Sequence, residues 1–112
     1  MLYALPDPGG WYPALVPAPD GPPVRGLLFP ASADFSAEDL ARIDAYEDYR
    51  PGDAVGSEYL RRDIAVRCAA TDRPVTAQAY AYNRPLPPDA EAIPEGDFLD
   101  WLARHKRRGF LP

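Results

Sequence analysis

Fifteen prolines in 112 residues set the first constraint on this chain. Proline fixes φ and offers no backbone N–H, so it is disfavoured inside helices and in central strands. The prolines crowd into residues 6–30 and 84–94. Those stretches are therefore expected to be extended or turning, and helices are expected after Pro30 and after Pro94.

The window after Pro30 carries clear helix signals. Ser36 is a good N-cap, with Asp39 at N3 as a variant of the capping box. The helix is predicted over residues 37–47, ending before Pro51-Gly52. Leu40, Ile43 and Glu47 stand at i, i+3 and i+7, the spacing of one helix face. That spacing places a carboxylate on the stripe expected to face the core. Two readings of Glu47 follow. It is the frayed, solvated last residue of the helix, or it is half-buried with its pKa raised, which suits a general acid or base. Asp44 reads as a structural hydrogen-bonding group.

The window after Pro94 predicts a second helix over residues 97–108, with Asp97 as N-cap and Gly109 as terminator. Phe98, Trp101, Leu102 and His105 would share a face, as core packing. Strands are expected at residues 2–5, 11–16, 24–29, 60–68 and 75–82. Pro13 makes the second of these an edge strand or a bulged one. In the fourth, Leu60, Ile64, Val66 and Cys68 alternate with Arg61, Asp63 and Arg67. The short connection at 69–74 makes the last two an antiparallel hairpin. Residues 83–96 read as a Pro-rich wrap. Short strands, a central helix, a hairpin and a closing helix define an α+β fold class, and 112 residues form one domain.

Composition excludes several function classes. The formal net charge is −5, which disfavours nucleic acid and anionic membranes as partners. The basic cluster Arg104, Lys106, Arg107 and Arg108 complements the negative end of a C-terminal helix. One cysteine, Cys68, permits no internal disulfide and reads as a small buried residue. One His and one Cys give no metal-ligand spacing, so neither a metal nor another cofactor is expected. No signal peptide and no 18-residue apolar run is legible, so a cytoplasmic protein is expected.

Beyond these readings, ordered motifs resemble the gamma-glutamylcyclotransferase-like family, also named for an avirulence-induced plant protein. Gly10-Trp11-Tyr12-Pro13-Ala14 resembles its Gly-x-Tyr-Pro-Ala segment, and Val24-Arg25-Gly26 the Val-x-Gly of the following strand. Ile43-Asp44-Ala45-Tyr46-Glu47 resembles its Leu-Asp-x-Tyr/Phe-Glu helix end, and Tyr59-Leu60-Arg61 its Tyr-x-Arg strand opening. Tyr80-Ala81-Tyr82-Asn83 and Ile93-Pro94-Glu95-Gly96-Asp97-Phe98 complete the order. The resemblance implies a small mixed β-barrel flanked by helices. It implies release of 5-oxoproline from a gamma-glutamyl amine or amino acid, with Glu47 as catalytic acid/base and no cofactor. Tyr12, Tyr59 and Arg61 are candidates for substrate binding around it. For the tyrosines the alternative is packing, and for Arg61 it is an exposed strand cation.

The family's Tyr-Gly-Ser/Thr-Leu loop, whose N–H groups bind substrate, has no counterpart in this sequence. The chain thus reads as N-terminally shortened, whether by a wrong start codon or as a shorter relative whose open sheet edge a homodimer covers. A non-catalytic binding or interaction module and an inactive fragment are the alternatives to an enzyme.

Overall fold

The computed structural model describes residues 1–110. The elements run β1 (Leu2–Asp7), β2 (Gly10–Leu15), α1 (Ala37–Tyr46), β3 (Tyr59–Cys68), β4 (Arg73–Tyr82), β5 (Glu91–Ile93) and α2 (Phe98–Arg104). The chain divides into two compact units, one formed by residues 1–26 and 85–112 and the other by residues 27–84.

The first unit is built on a three-stranded antiparallel sheet in the order β2-β1-β5. Pro13 sits in β2, an edge strand, as its missing N–H requires. Pro6 lies in the central strand, but β5 pairs with Leu2, Tyr3 and Ala4 and stops short of it. Leu2, Ala4, Ile93 and Trp101 form the buried core here, with Trp11, Phe98 and Leu102 packed against them. Trp101 meets Trp11 edge-on at 5.3 Å and stacks on Phe98 at 6.3 Å. Gly10 has φ +134°, and a Cβ there would meet the Gly109 carbonyl oxygen at 2.6 Å. This close approach lets Trp11 donate its N–H to the Arg108 carbonyl and accept from the N–H of Phe110.

The second unit is the β3–β4 hairpin with α1. The ten-residue register runs from Tyr59↔Tyr82 to Cys68↔Arg73, turning through Asp72 in the left-handed region. The expected alternation holds along β3, where Ile64, Val66 and Cys68 are more buried than their neighbours. Cys68 is half-buried, not a core residue. The expected capping box forms at α1: Ser36 Oγ accepts from the Asp39 N–H at 3.2 Å, and Asp39 Oδ2 accepts from the Ser36 N–H at 2.9 Å.

Several expectations change. The α+β class stands, but the barrel is not closed and its sheets are antiparallel, not mixed. Among the described residues no ladder joins the two sheets. The strand expected at residues 24–29 does not form, and Leu27 and Phe29 are both 81% exposed. β5 falls inside the Pro-rich stretch read as a wrap. The second helix ends at Arg104, not near residue 108. Lys106, not Gly109, terminates it: Lys106 has φ 52°, its N–H reaches the Ala103 carbonyl, and the Arg107 N–H reaches that of Leu102. This is the Schellman arrangement with lysine at the left-handed position. No helix among the described residues is long and apolar enough to cross a membrane.

Trp101 is only 3% exposed and contacts both the sheet and its own helix. Trp101→Ala is expected to cost about 3–5 kcal/mol, measured by urea unfolding followed by circular dichroism.

Candidate active site

The end of α1 organises the second unit. Glu47 is its C-cap, and Asp48 follows with φ 53°. The Asp48 N–H donates to the Ala45 carbonyl at 3.1 Å and the Tyr49 N–H to that of Asp44 at 2.8 Å, again a Schellman motif. The Glu47 N–H itself donates to the Ile43 carbonyl at 3.0 Å. Glu47 is therefore fixed in a closed helix end, which removes the frayed reading.

The inward face of α1 differs from the expected one. Ile43 is 41% exposed, whereas Asp44 is buried at 6%. Leu40, Asp44 and Glu47, at i, i+4 and i+7, form the more buried face. A carboxylate tolerates that position only with partners, and Asp44 has two on the hairpin. Arg61 Nη1 donates to both of its oxygens at 3.0 and 3.2 Å, and the Tyr80 hydroxyl donates to Oδ1 at 2.5 Å. Arg61 and Tyr80 are directly opposite in the β3–β4 register, so one face of the hairpin supplies both groups. Arg61 is thus a half-buried partner of Asp44 rather than an exposed strand cation, and its guanidinium lies 5.5 Å from the centre of the Tyr49 ring. Asp44 is the structural hydrogen-bonding group its position suggested.

A second set of bonds brings Glu58 to the helix end. The Glu58 N–H donates to the Asp48 carbonyl at 3.0 Å. Ser57, fully buried, accepts from the Arg50 N–H and donates to the Asp53 carbonyl, both at 2.8 Å. Asn83 donates through Nδ2 to the carbonyls of Ala54 and Ser57, and through its N–H to that of Glu58. The loop between α1 and β3 is thereby held at the open end of the hairpin, by Glu58 just before β3 and Asn83 just after β4.

Electrostatics follow from this placement. Withdrawal from water raises the Glu47 carboxyl above the ordinary 4.5, and the negative charge of Glu58 raises it further. Burial pushes the Tyr80 phenol well above its usual range, reinforced by its bond to Asp44 and by the charges of Asp44 and Glu47. Tyr82 is also raised, by burial and then by Glu58.

Of the expected site residues, Glu47, Tyr59 and Arg61 belong to this unit. Tyr59 is 8% exposed and packs edge-on against Tyr82 at 5.4 Å. Tyr12 belongs to the first unit, where it meets Phe110 edge-on at 6.3 Å. Residue patterning did not single out Tyr80, Glu58 or Ser57 for the site. The pairing of Tyr80 with Arg61 rests on the observed hairpin register, in which Cys68 meets Arg73. Arg61 also lines an open groove of about 450 Å³ with Tyr49, Arg50 and Arg62. Another groove, about 490 Å³, lies in the first unit around Asp7, Trp11 and Arg107, and none of the candidate residues lines it. Among the described residues no group of three or more His, Cys, Asp or Glu could hold a metal ion.

A family model described as gamma-glutamyl cyclotransferase, AIG2-like, matches residues 1–101. The chain belongs to that family. Comparisons with curated proteins and with solved structures gave no match. Membership accords with gamma-glutamylcyclotransferase-like chemistry at the level of the family, and the match spans both units.

Two measurements check this site. Asp44→Ala would leave the Arg61 guanidinium and the Tyr80 hydroxyl without their shared acceptor, so a loss of about 3 kcal/mol is expected in chemical denaturation. The second concerns pH. The fold binds the Glu47 proton more tightly than the unfolded chain, so that contribution is present at low pH and is lost as pH rises through the raised value. Relative to wild type, Glu47→Gln should gain stability as pH rises from about 4.5, then level off. A difference independent of pH would contradict the raised carboxyl.

Proposed function

We propose that this protein releases 5-oxoproline from a gamma-glutamyl amine or amino acid, with Glu47 as acid/base. The observation that carries the reading is Glu47 itself: a carboxylate fixed at a closed helix end, partly withdrawn from water beside Glu58. A carboxyl raised toward the working pH can both take and return a proton.

In the proposed reaction the substrate's α-amine attacks its own γ-carbonyl carbon. A new C–N bond closes the five-membered ring while the original γ-amide C–N bond breaks. Glu47 takes the proton lost by the attacking nitrogen and returns it to the leaving nitrogen, so the enzyme ends unchanged. Neither oxidation nor reduction occurs. Folding the substrate into a ring-closing conformation supplies much of the acceleration through proximity. A groove on the same unit, lined by Tyr49, Arg50, Arg61 and Arg62, offers Arg62 as a cation complementary to a substrate carboxylate, whereas Arg61 is engaged by Asp44 and Arg50 by Asp48. Tyr59, packed beside Tyr82 on the same hairpin face as Arg61, would shape the site wall.

The test is 5-oxoproline release from a panel of gamma-glutamyl amines and amino acids. Glu47→Gln is expected to lower kcat by about 10²–10⁴-fold without loss of fold. Wild-type kcat/KM should fall as pH drops through the raised Glu47 value, because the protonated carboxyl cannot accept the amine proton. Equal release by wild type and Glu47→Gln would remove Glu47 from the chemistry. No release by well-folded wild type would favour a non-catalytic binding module.

A further inference from the structure

A phenol carries one proton and two acceptor lone pairs. The Tyr80 proton is committed: its hydroxyl donates to Asp44 Oδ1 at 2.5 Å, a short contact of the charge-assisted kind. Asp44 cannot turn away, because both of its oxygens are held by Arg61 Nη1 and its backbone is locked into the helix end. Burial and the neighbouring carboxylates keep the phenol protonated, so Tyr80 does not compete with Glu47 as a base. The hydroxyl can therefore only accept from a ligand. Tyr80 Oη is held on Asp44, and Asp44 and Glu47 lie three residues apart on the inward face of α1. Two carboxylates, Asp44 and Glu47, act on this phenol, and the cation that also acts on it, Arg61, is engaged with the first. Such a setting favours an N–H-rich cation and repels an acceptor or an anion.

We propose that Tyr80 orients the α-ammonium of the substrate, accepting a hydrogen bond from it beside Glu47, and so makes the site selective for a free α-amine. This rests on the reading of Glu47 given above. It divides the work. Glu47 takes one proton from the ammonium and passes it to the leaving nitrogen. The second proton lost on ring closure follows the same route, so that the leaving amine departs as an ammonium. Tyr80 holds the attacking nitrogen so that its freed lone pair faces the γ-carbonyl. N-acylated or deaminated substrates would lose this contact.

The probe is a matched pair, gamma-glutamyl anilide and glutaryl anilide, which differ by the α-ammonium. Glutaryl anilide cannot cyclise and serves as a competitive inhibitor. In Tyr80→Phe, KM for gamma-glutamyl anilide is expected to rise about tenfold, the loss of one hydrogen bond to a charged group. The Ki of glutaryl anilide should stay unchanged. Asp44→Asn, whose amide can donate to the phenol and release its proton toward the ligand, should erode the same preference with Tyr80 in place. A merely structural Tyr80 would move both constants together. That result, or an unchanged pair, overturns the proposal while leaving the reaction intact. Should wild type release no 5-oxoproline, calorimetric affinities for the same pair decide. A wild-type preference for the amine that Tyr80→Phe erases upholds the role of Tyr80 even as the cyclisation fails. No preference in wild type overturns it.

Discussion

The buried carboxylate of Asp44 is the constraint on which the second unit depends. It ties three elements through one group: its own helix α1, β3 through Arg61 and β4 through Tyr80. A charge at 6% exposure is costly, and only this set of partners makes it tolerable. The geometry they need fixes the rotation of α1 about its axis. With Asp44 turned inward, Ile43 must turn outward, and Glu47, one turn along the same face, must come to the hairpin. An apolar residue at 44 could hold the helix to the sheet as firmly. It would not select one rotation and one register so narrowly, because apolar packing is less directional.

The helix ends complete the placement. Both helices stop in the same way, with a non-glycine residue in the left-handed region and paired N–H bonds back to the last turn. At α1 that motif makes the C-cap a fixed point, and the C-cap is Glu47. A non-glycine residue in this conformation costs of order 1 kcal/mol. At position 48 the Asp48 carboxylate pairs with Arg50 at 3.1 Å and with Arg84 at 3.6 Å, but both pairs are exposed and recover little of that cost. Position 48 thus spends some intrinsic stability to fix the backbone that carries Glu47.

The sequence made the elements legible where local chemistry decides them. The Ser36–Asp39 capping box, the edge placement of Pro13, the alternation along β3 and the hairpin all follow from short-range rules and are present. What escaped is decided by partners distant in sequence. The face of α1 was misassigned because an apolar periodicity counts Ile43 inward and Asp44 outward, and the partners that reverse this lie 17 and 36 residues away. The end of α2 was misplaced because the left-handed position carries Lys106 rather than glycine. β5 was hidden by the prolines around it, though its three residues pair with β1 at Leu2, Tyr3 and Ala4, short of Pro6. Residues 24–29 show the opposite failure: an apolar run with strand propensity forms no strand, its Arg25 N–H meeting the Gly96 carbonyl without a ladder developing, because a strand needs a neighbour as much as a composition.

Glu47 was found for a reason that the structure then replaced. Its spacing from Ile43 suggested a core-facing carboxylate, yet Ile43 does not face the core. It is Asp44 that carries Glu47 inward, and Asp44 was legible as a hydrogen-bonding group without its partners. The motif Asp44-Ala45-Tyr46-Glu47 therefore has a physical meaning of its own. The aspartate anchors the last turn to the hairpin, the closed helix end fixes the glutamate, and the three-residue spacing keeps both carboxylates on one face while only the first is neutralised by a salt bridge. The two acids differ in environment rather than in kind: Asp44 is matched by a guanidinium and a phenol, whereas Glu47 loses water and feels the charge of Glu58, with no ion pair to it among the described residues. Environments that separate two neighbouring carboxylates in this way assign one to structure and leave the other able to exchange a proton.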